Sequence, residues 1–158
     1  VEASLFEKIL VPLDNSGHSS RALDVAIQIC KKFGGSITLM HVYSVSVVPV
    51  SVPEPYAFTS SVPVVPPAYV AKLVEASREA GRKLLEECKK KAEGEKVEVH
   101  IKLEEGHTVQ QIVRASKEGD FDLIVMGARG ISRVREMLLG STTDGVMHHV
   151  ACPVLIIR

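Results

Sequence analysis

The chain has 158 residues, enough for one ordinary domain with a substantial core and too few for two full ones. Its 19 Lys and Arg balance 19 Asp and Glu, which argues against a nucleic-acid binder, and 46% apolar against 24% charged residues excludes wholesale disorder. No apolar run approaches the ~18 residues of a membrane-spanning helix, and the opening VEASLFEKILVPLD lacks the basic and long apolar regions of a secretory signal.

Hydrophobic periodicity alternates between strand and helix along the chain. Residues 8–13, KILVPL, form a short apolar run suited to a strand buried on both faces. Asp14-Asn15-Ser16-Gly17 then supplies a turn with capping residues. Ala22, Leu23, Ala26, Ile29, Cys30 and Phe33 follow at helical spacing, closed by Gly34-Gly35. Residues 36–43, SITLMHVY, are a second strand. Val70, Leu73, Val74, Ser77, Leu84, Leu85 and Cys88 mark a second helix, ending in Lys89-Lys90-Lys91 at the negative end of its dipole. Residues 97–103, VEVHIKL, alternate as a strand near a sheet edge does. Thr108 and Gln111 match a capping box for a third helix facing inward through Val109, Ile112 and Val113. Residues 121–126, FDLIVM, read as a buried central strand, residues 143–150 as a short helix and residues 153–158 as a last strand.

The order βαβαβαβαβ implies a single doubly wound α/β domain: a five-stranded parallel sheet with helices on both faces, because parallel neighbours need crossover connections. Residues 44–67 interrupt the rhythm with eight Val, six of the chain's eight Pro and one charge, Glu54. That composition blocks helix and central strand alike, so the segment reads as an insertion, either a plain surface loop or a lid or partner-binding loop. Cys30, Cys88 and Cys152 are widely spaced and form no CxxC pair, which suggests reduced thiols in a cytoplasmic protein.

Ligands of such sheets bind outside the carboxyl ends of the strands, where strand order reverses. The first strand ends in Pro12-Leu13-Asp14, whose carboxylate either accepts hydrogen bonds from a sugar or base or only caps the next helix. The fourth ends in Met126-Gly127-Ala128-Arg129-Gly130, glycines that let backbone turn tightly and approach a ligand. Gly140-Ser141-Thr142-Thr143 then opens the last helix, placing free N–H groups and hydroxyls where a phosphate binds. Arg129, Arg133 and Arg135 add positive charge between them. No GxxxxGK[ST] loop is present, and no GxGxxG follows the first strand. The adjacent His148 and His149 cannot share one helix face and suit a structural or surface role better than a metal. His41, ending the second strand, reads as a core or rim residue.

Gly127-x-x-Gly130, nine further residues and Gly140-Ser141 resemble the ATP-binding signature of the universal stress proteins. ILVPLDNSGHSSRALDVA looks like that family's first strand and helix, and Gly106 before VQQIV and the closing CPVLIIR are similar too. The resemblance spans everything except the Pro/Val insertion. It implies an adenine nucleotide α-hydrolase-like sheet, in a homodimer, holding one ATP (or ADP or AMP) per subunit. Carried over, Pro12, Leu13 and Asp14 line the adenosine end with Val42 beside the base, so Asp14 lies away from the terminal phosphates. Met126 is nucleotide-binding, Gly127, Arg129 and Gly130 lie along ribose and phosphates, and Gly140, Ser141, Thr142 and Thr143 hold the phosphates, with Mg or Mn bridging their oxygens. Leu13 departs from the small or hydroxylated residue frequent there and is expected to narrow the adenosine pocket.

The implied function is a nucleotide-dependent regulator or sensor in stress response, acting on an unknown protein partner and on neither membrane nor nucleic acid. A slow ATPase or nucleotide-transferring enzyme on the same site, and a scaffold with an empty site, stay open as alternatives. No base stands out for the former, Asp144 and His148 lying on a short helix of uncertain direction. The apolar last strand, Val154–Ile157, is expected to pair with its twin across the dimer, since an exposed edge strand without protective charge invites a partner.

Overall fold

The computed structural model describes residues 5–46, 65–130 and 139–158. The central part of the Pro/Val insertion, Arg133 and Arg135 lie outside the described residues.

Nine elements alternate in the expected order: β1 Lys8–Pro12, α1 Gly17–Phe33, β2 Ser36–Tyr43, α2 Pro67–Gly94, β3 Glu98–Glu105, α3 Thr108–Glu118, β4 Leu123–Gly127, α4 Ser141–His149 and β5 Val154–Ile157. They form one five-stranded sheet, ordered β3-β2-β1-β4-β5, with every neighbouring pair parallel. Chain order runs outward from β1 to β3 on one side, then returns through β4 to β5 on the other. Strand order therefore reverses between β1 and β4, where Ile9 pairs with Leu123 and Leu10 with Ile124.

Successive strand residues point to opposite faces, and β1 from Ile9 and β4 throughout are apolar, so each feeds two cores. Ile9, Val11, Leu123 and Val125 pack with Ala22, Leu23 and Ala26 of α1 and Leu85 of α2. Leu10, Ile124 and Met126 pack on the other face with Ile112 and Ala115 of α3 and Val146 of α4. The edges differ: β3 carries Glu98, His100, Lys102 and Glu104, with ion pairs His100–Glu98 at 3.1 Å and Lys102–Glu104 at 3.0 Å, whereas β5 is wholly apolar with Leu155 exposed.

Ser16 caps α1, its Oγ accepting from Ser19 N–H at 3.1 Å, and Gly34 at φ 84° ends the helix with its N–H on Cys30 O. Phe33 shares the apolar spacing of α1 but is half exposed, against Phe6 edge to face. The three cysteines are free thiols, and burial, helped by the Asp122 carboxylate, pushes Cys30 up to about 11.

The capping box at Thr108 does not form. His107 is the N-cap of α3, and Gln111 Nε2 donates instead to Glu105 O at 3.2 Å. Gly106, at φ 133°, turns the chain so that this carbonyl lies within reach. On α3 the buried positions are Ile112, Ala115 and Ser116, with Val109 and Val113 only half-buried. No helix among the described residues is long and apolar enough to cross a membrane.

Candidate functional site

A cavity of about 450 Å³ opens at the carboxyl ends of β1, β2 and β4, at the strand-order reversal. Pro12, Leu13 and Asp14 line it from β1, and Val42 from β2. Met126, Gly127, Arg129 and Gly130 enter from the end of β4, and Gly140, Ser141, Thr142 and Thr143 from the start of α4. All twelve residues singled out in the sequence thus border one space. Ser19, Met40, His41, Thr108, Ile112 and Leu139 also line it. Met40 and Ile112 were legible only as core positions, and Thr108 only as a helix cap.

At the end formed by the β4 exit and the start of α4 the backbone does the positioning. Gly140 N–H donates to Ala128 O at 2.7 Å, fixing the start of α4 against the exit of β4. The first bond inside the helix is Asp144 N–H to Gly140 O, so the N–H groups of Ser141, Thr142 and Thr143 precede it and have no partner within the helix. Gly140, the N-cap, has no side chain with which to cap them. Those donors and the positive end of the dipole suit an anion. Thr143 is buried, and its hydroxyl donates to Gly127 O at 2.8 Å, so it ties α4 to β4 rather than offering its proton to the cavity.

None of Gly127, Gly130 and Gly140 has a positive φ. What they supply is the absence of Cβ. A Cβ at Gly127 would stand 2.7 Å from His18 Cβ and 2.9 Å from Ser19 N, inside the first turn of α1. One at Gly130 would stand 2.5 Å from Asp14 Oδ2. At Gly140 the nearest atoms among the described residues are at 3.4 and 3.5 Å, ordinary contact.

Asp14 thus lies beside the loop that follows β4. Asn15, at φ 64°, folds the turn tightly; Asp14 Oδ1 accepts from Ser16 N–H at 3.0 Å and Oδ2 faces Gly130. Ser16 Oγ reaches Arg129 O at 3.5 Å, a second link between the β1–α1 turn and the loop after β4. Asp14 is the one carboxylate lining the cavity among the described residues.

The opposite end is apolar, with Met40, Val42, Ile112 and Met126 around it. Leu13 is only 4% exposed and packs into the α1–α2 core, so it forms a wall more than an obstruction. Asp144 and His148, 3.4 Å apart and exposed on α4, do not line the cavity, and His149 Nδ1 bonds Gly145 O. No group of three or more metal-ligating side chains occurs among the described residues.

The universal stress protein family pattern matches residues 5–158. The chain belongs to the universal stress protein family. The universal stress protein YxiE of Bacillus subtilis is 33% identical over 154 residues, which cover 98% of this chain and 100% of that protein. Among solved structures, UspA of Lactobacillus plantarum gives a TM-score of 0.78 at 22% identity, covering 97% of this chain and 98% of that one. The universal stress protein of Archaeoglobus fulgidus in complex with dAMP gives 0.60 at 18%, covering 98% and 99%. Family and sheet architecture agree.

Proposed function

We propose that this universal stress protein binds an adenine nucleotide in the cleft between β1 and β4 and acts as a nucleotide-dependent regulator or sensor in stress response. The observation that carries this is the joining of two unlike surfaces in one cavity: an apolar slot at Met40, Val42 and Met126, and a row of N–H groups at Ser141, Thr142 and Thr143 with no partner within the helix. A planar base fills the first and an anion the second. The dAMP complex of the Archaeoglobus relative supports an adenine nucleotide.

In this reading Val42 and Met126 flank the base, and Asp14 Oδ2 accepts from a sugar hydroxyl. Gly127, Arg129 and Gly130 run beside ribose and phosphates. Gly140, Ser141 and Thr142 hold the phosphates, with Thr143 steadying them through Gly127. The side chains present offer a divalent ion no cluster of their own, and Asp14 is the single carboxylate at hand. Mg or Mn would take its ligands mainly from phosphate oxygens, screening their charge and tightening ATP binding. Binding is favoured over efficient catalysis because neither Asp144 nor His148 reaches the cavity to orient an attacking group.

The chain acts as a homodimer, with β5 pairing to its twin and burying Leu155; the charged β3 edge protects itself. Free thiols fit a cytoplasmic setting. The decisive test is mass analysis of small molecules released by denaturing the purified protein. AMP, ADP or ATP at near-stoichiometric amounts supports the reading; a protein that carries none and takes up none on incubation contradicts it. Light scattering at micromolar concentration should report twice the chain mass, and a stable monomer there removes the edge-pairing argument.

A further inference from the structure

The Leu13–Asp14 segment is held by a side chain that the nucleotide reading gives no task. Leu13 N–H donates to Met40 O at 2.8 Å, and Leu13 O lies 2.7 Å from His41 Nδ1. A carbonyl oxygen only accepts, so the imidazole carries a proton on Nδ1 and donates it. Both polar groups of Leu13 are thus fixed by β2, one by backbone and one by the ring. Peptide planarity passes that constraint onward: fixing the Leu13 carbonyl fixes the plane holding the Asp14 N–H, which points to Ser19 Oγ at 3.4 Å. From there Asp14 Oδ1 takes the Ser16 N–H, and Oδ2 is left facing Gly130.

The ring's place is kept open from the other side. Gly81 is buried in the middle of α2, where glycine weakens a helix relative to alanine. A Cβ there would stand 2.6 Å from His41 Cδ2 and 2.9 Å from Leu103 Cδ1. The ring lies between α2 and the rim of the cavity, which both His41 and Leu13 line.

We propose that His41 is a positioning residue for Asp14, holding the Leu13–Asp14 peptide so that the carboxylate meets the sugar of the bound nucleotide. This rests on the nucleotide reading above. His41 touches no reacting group and acts through the Leu13 carbonyl; Gly81 is what lets α2 approach without displacing the ring.

The test is calorimetric titration of the full chain with AMP, comparing wild type, His41→Leu and His41→Asn, each also in an Asp14→Ala background. The imidazole tautomer is followed by NMR in nucleotide-free protein. Asparagine puts an amide N–H where Nδ1 stands. His41→Leu should weaken AMP binding about fivefold to tenfold, the worth of one hydrogen bond, and His41→Asn should restore most of it. In the Asp14→Ala background His41→Leu should add nothing, because the group it positions is gone. Should His41→Leu fail to fold, Gly81→Ala, which crowds the ring from α2, should give the same loss. Additive losses with Asp14→Ala, wild-type affinity in a folded His41→Leu chain, or a neutral ring protonated on Nε2 would each overturn the proposal. A wild-type chain that binds no AMP contradicts the nucleotide reading instead, and the tautomer still decides whether His41 holds Leu13.

Discussion

The two ends of the cleft are made of different material. At the apolar end the walls are side chains of the sheet and its covering helix, Met40, Met126 and Ile112, each at most 4% exposed and part of the core beneath. At the other end the wall is largely main chain, from Gly127 to Gly130 and from Gly140 to Thr142. The apolar end is therefore inseparable from folding, while much of the other end is spare to the fold. Mutation should separate them, stability following the first and ligand affinity the second.

The largest effect is expected at Met40→Ala, which empties a fully buried position and should lower unfolding free energy by about 2–5 kcal/mol. Equilibrium urea unfolding measures it; a loss no greater than that of a surface substitution would break the link between this wall and the core. Gly127→Ala should come next. It lies at the polar end yet packs on α1, where the new Cβ meets backbone of His18 and Ser19, so a cost of about 1–3 kcal/mol is expected. It thereby marks where the spare main chain begins.

Gly130→Ala should sharpen the contrast. Its φ is not positive, and among the described residues the Cβ meets only the far end of the Asp14 side chain, which can swing away. The urea midpoint should hold while AMP affinity falls about tenfold, the scale of one or two lost hydrogen bonds. Equal losses of stability and affinity would show Asp14 to be a structural carboxylate. The smallest effect belongs to Ser141→Ala, which removes a hydroxyl but keeps the N–H: a few-fold loss of ATP affinity by titration, with thermal midpoint unchanged. A loss as large as that of Gly130→Ala would shift phosphate recognition from backbone to side chains.

The fold was legible because each change of period, from KILVPL to the Ala22–Leu23–Ala26 stripe and back to SITLMHVY, states which elements are sheet and which are helix. Capping was less so. A capping box needs Gln111 to accept the N-cap N–H, whereas its amide donates to Glu105 O, a choice that depends on how Gly106 turns the chain. The glycines were recognisable by spacing but not by cause, since what crowds a missing Cβ comes from α1 or from Asp14, more than a hundred residues away. For the same reason Met40, Thr108 and Ile112 carried no sequence signal as cavity residues. They reach it from β2 and α3, and only the sheet order brings those beside the loop after β4.

The measurement that bears most directly on the cleft is calorimetric titration of ATP with Mg into wild type and Gly140→Val. Among the described residues a Cβ at Gly140 meets protein only at ordinary contact distance, so the variant should fold, and its extra atoms should then crowd the proposed anion site. Wild type should bind with millimolar to micromolar affinity, tightened by the metal, and a folded Gly140→Val should show no binding. Equal affinity in the two proteins would contradict a phosphate site at the start of α4.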